Sequence, residues 1–382
     1  MGRTAADRAG IAPFYVMEVM RAASEREAAG GQVLHLEVGQ PSTGAPRLVV
    51  EAAHRALDSG AALGYTPSLG LASLRAAIAE HYGHAYGVDL DPERVVVTTG
   101  ASASCVLSFL ACFDTGDRVA VTSPGYPCYR NMLAAFDVEV VDVAVDSSSR
   151  YQPTQEALEE RGPLQGVVVA GPSNPTGTML DDGAMARLAG WCRDHEVWLV
   201  SDEIYHGITY EDPAPTAIAH DDGALVVGSF SKYFSMTGWR LGWLVVPPEL
   251  IPAVERLAQN LYISAPTLSQ VAAQAAFDCH DELRANVARY AANRRVLLEG
   301  LPGAGLSDLA PADGAFYVWA AVDHLTDDSQ ALCARWLAEL GVAATPGVDF
   351  DRAEGHRFVR FSFAGATAEV SEAVRRLQNL SP

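Results

Sequence analysis

Lysine is almost absent from this chain. Its 382 residues include 27 basic side chains, and all but Lys232 are arginine. Chemistry that needs a primary amine side chain therefore has one candidate. Basic charge is also scarce beside 47 acidic residues, which leaves a net charge of −20. Neutralising phosphates takes a basic face, so a general polyanion binder is excluded and no nucleic-acid partner is expected. No apolar run approaches the roughly 20 residues that span a bilayer, so no membrane partner is expected either. Asp7 and Glu18 flank a short apolar patch near the N-terminus. That is unlike a secretory signal, and the expected location is the cytoplasm. The six cysteines show no C-x-x-C spacing and sit mostly in apolar stretches. They fit buried reduced thiols better than a disulfide frame or a zinc site. His81 and His84, three apart beside Glu80, have no third ligand in view and read as a solvated helix end rather than a metal pair.

What is present is an alternation. From about residue 90, short β-branched runs alternate with longer helical patterns. The runs are Val95–Thr99, Arg118–Ser123, Val138–Val143, Gly166–Ala170, Val197–Ser201, Leu225–Gly228 and Leu241–Val246. Between them lie patterns such as Val106, Phe109, Leu110 and Phe113 at helical spacing. Near-continuous apolar strands separated by helices predict an α/β fold, with a mostly parallel seven-stranded sheet covered by helices. After about residue 285 the pattern changes. A helix over Asn286–Leu301, a strand at Phe316–Ala320, a helix near Ser329–Leu340, a strand at Phe358–Phe363 and a final helix predict a smaller α+β domain. The expected division is an N-terminal arm (1–45, with a strand at Val33–Val38) packing with the small domain, a large domain (46–285) and the small domain (286–382).

Ligands of open parallel sheets bind at the carboxyl ends of the strands, so the residues after each run carry the functional reading. Gly100-Ala101-Ser102 follows the first run and opens a helix. Gly171 to Gly177, containing Asn174, follows the fourth. Asp202-Glu203-Ile204-Tyr205 follows the fifth, and Ser229-Phe230-Ser231-Lys232 the sixth, with Arg240 eight residues on. Taken singly, these are a helix cap, a turn, another cap and a surface charge. Taken together, four strands deliver an anion cradle, an amide, a carboxylate with a phenol, and the only lysine to one edge.

A lysine amine forms a Schiff base with a carbonyl cofactor, of which pyridoxal 5'-phosphate is the common one. The amides of Ala101 and Ser102, the Ser229 hydroxyl and the Arg240 guanidinium suit its phosphate. Asp202 suits its protonated ring nitrogen, Tyr205 and Asn174 its ring oxygen, and Tyr126, after the strand ending at Ser123, one face of the ring.

At this point the sequence resembles the class I/II aminotransferases, the fold-type I pyridoxal-phosphate enzymes. The likeness covers nearly the whole chain, through Leu36–Pro41, Tyr65-Thr66-Pro67, Pro124–Pro127, Asn174–Gly177, Asp202–Tyr205, Ser229–Lys232, Gly238–Gly242, Asp313–Tyr317 and Val359–Phe363. It implies that Arg360 grips the substrate α-carboxylate, assisted by Asn174 and the Gly39 backbone. It implies that Tyr65 reaches the cofactor phosphate of a neighbouring subunit, hence a homodimer with shared active sites, and that the Asn174–Pro175 bond is cis, as in relatives. The implied reaction is ping-pong transfer of an amino group from an α-amino acid to a 2-oxo acid, with Lys232 as base and then acid and with Asp202 and Tyr205 as its catalytic partners. Elimination, decarboxylation or oxidation on the same fold are the alternatives.

The substrate side chain is less legible. Gln259–Ile263 lacks the arginine that dicarboxylate-specific relatives of one branch carry before the equivalent of Ser264-Ala265-Pro266. Ile11, Phe14 and Tyr15 are expected to fold over the pocket and favour an apolar or aromatic side chain.

Overall fold

The computed structural model of the chain describes residues 4–379. Strand β1 (Leu34–His35) precedes the main sheet, which comprises β2 (Val95–Thr98), β3 (Arg118–Ser123), β4 (Glu139–Ala144), β5 (Gly166–Ala170), β6 (Trp198–Asp202), β7 (Leu225–Ser229) and β8 (Gly242–Val245). Four further strands are β9 (Tyr317–Ala321), β10 (Val342–Ala343), β11 (Thr345–Pro346) and β12 (Phe358–Ser362).

The seven-stranded sheet has the order β2-β8-β7-β6-β5-β3-β4. Strands β3 to β7 pair in parallel, and β8 runs antiparallel to both its neighbours. Alternate side chains point to opposite faces, which explains the continuous apolar runs. Val95, Val97, Val167, Val169, Leu199 and Val226 enter one core cluster, while Val96, Val168, Val200 and Val227 enter another. Both faces are thus buried, one of them under the helix Ala101–Cys112, whose Leu107 and Phe109 join the second cluster. Because β8 is antiparallel, its leading end, Gly242, pairs with Thr98 and with Ser229 at their trailing ends. Arg240, just ahead of Gly242, therefore arrives at the same edge as Lys232.

A third cluster gathers Leu34, Leu36, Phe316, Trp336 and Phe361 around the antiparallel sheet β11-β12-β9. Strand β1 pairs in parallel with β10, and the helix Tyr15–Ala28 buries Ala23 against Val33, Leu337 and Ala343. The segment expected as a strand over Val33–Val38 is paired as a strand at two residues only. Beyond them Leu36 still bonds the Ala343 and Ser362 backbone, and the following carbonyls serve side chains: that of Glu37 accepts from Arg360 and from Thr345 Oγ1, and that of Gly39 from Lys232. The helix read from Asn286 begins at His280 and runs to Gly300. Its first turn is polar, with Asp281 and Glu282 at the positive end of the helix dipole, so apolar periodicity could not reveal it. Leu283 of this helix packs in the core beside the main sheet, and Tyr290 and Leu297 pack in the third cluster.

His81 corrects the solvated reading of its helix end. Its ring lies 5.3 Å from Phe277 and 6.1 Å from Phe234, and burial pushes its pKa down to about 4. No helix among the described residues is long and apolar enough to cross a membrane.

Candidate active site

The strand ends surround a cavity of about 340 Å³. Its walls carry Lys232, Asp202, Tyr205, Asn174 and Arg360 together with Ala101, Ser102, Tyr126, Ser229, Arg240 and Gly39. Tyr65 is not among them: it is 83% exposed, on the outside of its own chain.

Lys232 stands three residues beyond β7, and its Nζ donates to the Gly39 carbonyl at 2.7 Å. Desolvation, reinforced by the Arg360 and Arg240 guanidinium groups and opposed by Asp202, lowers its pKa to about 8. Near neutrality a usable fraction of the amine is then unprotonated. Position 39 has no room for a side chain, because a Cβ there would meet the Tyr317 hydroxyl at 1.8 Å.

Asp202 ends β6 and is buried. Burial raises its pKa to about 6, against the pull of the Tyr129 hydroxyl, the Ile204 amide and Lys232. Tyr129 donates to Oδ2, and the Ile204 amide to Oδ1 at 3.1 Å. The Tyr205 hydroxyl shares a 2.7 Å hydrogen bond with Tyr317, and burial holds its pKa well above the usual phenol range. The Tyr126 ring packs edge-on to Tyr129 at 5.4 Å and is backed by Phe14 at 6.2 Å.

Arg360, in the middle of β12, is 4% exposed. It donates to Asn174 Oδ1 at 2.9 Å, to Thr345 Oγ1 at 3.1 Å and to the Glu37 carbonyl. The guanidinium lies 4.5 Å from the Tyr317 ring centre and 4.7 Å from that of Phe350. Its Nε has no hydrogen-bond partner among the described residues, and the residue lines the cavity, where a guanidinium suits a carboxylate. The Asn174–Pro175 bond is cis, as the resemblance implied, and so are Ser123–Pro124 and Gly171–Pro172.

At the other end, the helix Ala101–Cys112 points its N-terminus into the cavity. Gly100 precedes it with φ +89°, and a Cβ there would meet Arg240 Nη2 at 2.6 Å. Free helix amides, a guanidinium held against their turn, and the Ser229 and Ser231 hydroxyls form a built anion cradle.

Several members of this wall escaped the sequence reading. Tyr129, Tyr317 and Ser231 stood in or beside quoted motifs, three residues after Tyr126, one after Phe316 and one before Lys232 respectively. No periodicity separated them from core residues. The apolar side of the cavity is also different from expectation. Val16 and Met20 line it, with Val38 and Met132, whereas Ile11 is exposed and Phe14 backs Tyr126 from outside. A helix from Tyr15 presents residues four apart on one face, which the expectation of a folded-over loop did not use.

The sequence profile described as "Aminotransferase class I and II" matches residues 31–377. The chain belongs to the class I and II aminotransferases. Similar proteins include the valine–pyruvate aminotransferase of Mycobacterium tuberculosis, 50% identical over 98% of each chain. The aspartate/prephenate aminotransferase of Thermus thermophilus is 35% identical over 95% of each. A crystal structure of an aminotransferase from Mycobacterium tuberculosis superposes with a TM-score of 0.96, at 50% identity, covering 99% of this chain and 98% of that one. As a member of this class the protein is a transferase that moves an amino group between amino acids and 2-oxo acids. The class depends on pyridoxal phosphate, and the residues present fit that group: an amine, a buried carboxylate, an aromatic face and an anion cradle share one cavity.

Proposed function

We propose that this aminotransferase uses pyridoxal 5'-phosphate bound through Lys232, and that its amino donor is an α-amino acid with an aliphatic side chain. The observation that carries the reading is the presence of the only lysine amine in one cavity with a buried carboxylate and a buried, partly unpartnered arginine. The cofactor, when bound, supplies a carbonyl that takes up the amino group and a ring that draws off electrons. Ala101, Ser102, Ser229 and Arg240 would hold its phosphate, Asp202 its ring nitrogen, and Tyr205 and Asn174 its ring oxygen, with Tyr126 covering one face.

The residues then divide the work. Arg360 binds the substrate α-carboxylate and, with Asn174 and the Gly39 backbone, fixes which substituent of Cα faces Lys232. The Lys232 amine takes the Cα proton and later returns it to the reacting system, a task its lowered pKa suits. Tyr129 holds Asp202 in place, and the hydrogen bond of Tyr317 holds Tyr205. Two half-reactions through one site give ping-pong kinetics. The aliphatic donor is supported by Val16, Met20, Val38 and Met132 along the cavity and by the valine–pyruvate relative.

We further read the protein as a cytoplasmic homodimer in which Tyr65 of each subunit completes the other's phosphate site. Residues 1–45 are read as an arm on the small domain (286–382), beside the large domain (46–285). The cofactor assignment is tested by Lys232→Ala. Pyridoxal phosphate added to that variant should give no lysine-bound visible absorbance, since the chain has no second lysine, and retained absorbance would falsify the assignment. A single turnover of the native enzyme with valine alone should release its 2-oxo acid without ammonia. With valine, whose Cβ carries no leaving group, ammonia release would require dioxygen and would favour oxidation, whereas pyruvate and ammonia from cysteine would favour elimination.

A further inference from the structure

The helix Tyr15–Ala28 carries the apolar side of the cavity, yet nothing local caps it. Phe14 occupies the cap position and makes no side-chain cap hydrogen bond. The cap comes from the far end of the chain. The Tyr15 amide donates to Asp349 Oδ1 at 3.1 Å and the Val16 amide to Oδ2 at 3.2 Å. One buried carboxylate thus receives two first-turn donors that would otherwise be orphans.

Asp349 lies on the turn Gly347–Asp349, which follows β11. In that strand Thr345 pairs directly with Arg360. The next residue, Phe350, puts its ring 4.7 Å from the Arg360 guanidinium and accepts the Gly125 amide at its carbonyl, 3.1 Å away. A single turn therefore touches the carboxylate grip, the segment that carries Tyr126, and the helix that carries Val16 and Met20. Asp349 thus links the turn beside Arg360 to the helix that carries the apolar side of the cavity.

We propose that Asp349 is a specificity-positioning residue. By capping the N-terminal helix it holds Val16 and Met20 at the reach of an aliphatic side chain anchored at Arg360. The inference rests on the aliphatic-donor reading above.

The test compares valine with alanine as donors for wild type, Asp349→Ala, Asp349→Asn and Met20→Ala, each saturated with cofactor. Asp349→Ala should raise KM for valine roughly tenfold, the scale of losing charge-assisted hydrogen bonds, with kcat changed less than about threefold. The preference for valine over alanine should fall by a similar factor. Asp349→Asn, which keeps one acceptor oxygen, should lie between. Hydrogen exchange at the Tyr15 and Val16 amides should accelerate in the Asp349 variants and not in Met20→Ala, which should nonetheless lose the same preference. Faster exchange with an unchanged valine-to-alanine ratio would show a cap that is only structural and would overturn the proposal, as would equal losses for both donors. If Asp349→Ala does not fold, Asp349→Asn and Met20→Ala decide by the same ratio. If wild type accepts neither donor, it is the aliphatic reading that fails, and the KM-against-kcat split is then read on the amino acid that wild type does accept.

Discussion

Adjacent carboxyl groups at the end of β6 show how far one residue's surroundings can diverge from the next. Asp202 faces the cavity, with Lys232 and two hydrogen-bond donors in support, and its pKa rises only to about 6. Glu203 faces the other way. Its Oε1 accepts from the Ala217 amide at 2.8 Å and from Ser201 Oγ at 3.1 Å, while its Oε2 has no hydrogen-bond partner among the described residues and lies 3.4 Å from His206 Nδ1. The nearby His206 is itself held neutral by burial, with its pKa near 3, so no cation offsets the charge. Burial pushes Glu203 up to about 8. The folded protein therefore keeps a proton that the unfolded chain releases above the ordinary glutamate range. Stability contributed by this group is complete at low pH and declines as pH rises from about 4.5 towards about 8. Glu203→Gln, which stays neutral, should flatten that decline, and urea midpoints at pH 5 and pH 8 measure it. Equal slopes for the two proteins would contradict the burial argument. The proximity of Asp202 and Glu203 in sequence was plain, but their opposite roles were not, since they depend on which face of the sheet each one meets.

At the scale of elements, the strand-to-helix junction at Gly100 brings a helix N-terminus and the Arg240 guanidinium to the cavity. A helix N-terminus attracts anions through its free amides and its dipole, and here the glycine lets the Arg240 side chain lie against the turn. Gly100→Ala strains a backbone at φ +89° and presses a methyl against Arg240 Nη2. Its expected result is a cofactor Kd raised roughly tenfold, read by titrating the lysine-bound absorbance, with little change in the fold. Unaltered affinity would mean that the cradle tolerates displacement of Arg240. The main strands were legible because burial on both faces forces long apolar runs in all but the edge strand β4, whose burial alternates, and their observed bounds shift by a residue at most. Strand β1 was overread, because apolar residues near Leu34 and Leu36 are buried in the third cluster without continuing a ladder. The start of the helix at His280 was missed for the opposite reason, since its first turn is polar.

For the whole molecule, the surface around Tyr65 carries the strongest indication of a second copy. Tyr65 is 83% exposed, and Leu63, Leu261 and Ile263 are also exposed. The two segments adjoin, since Thr267 Oγ1 donates to the Gly64 carbonyl and Gln270 Nε2 donates to Thr66 Oγ1 at 3.1 Å. Exposed apolar side chains on adjoining segments are costly in water and fit an interface. Tyr65→Ala should weaken cofactor binding without disturbing the chain that carries it. Mixing it with Lys232→Ala should restore activity, because a hybrid dimer pairs an intact Lys232 site with an intact partner tyrosine. Failure of that complementation, with both variants dimeric by sedimentation, would exclude shared sites. What the sequence alone determined is which groups share the cavity edge: one amine, one strand-end carboxylate and a glycine-led helix. Parallel strands buried on both faces leave their trailing ends on a single edge, so order along the chain implied nearness in space. Only the tertiary structure decided the apolar side of the cavity. Val16 is held by Asp349 from 333 residues away, and a contact between two such distant, individually ordinary residues leaves no local pattern to read.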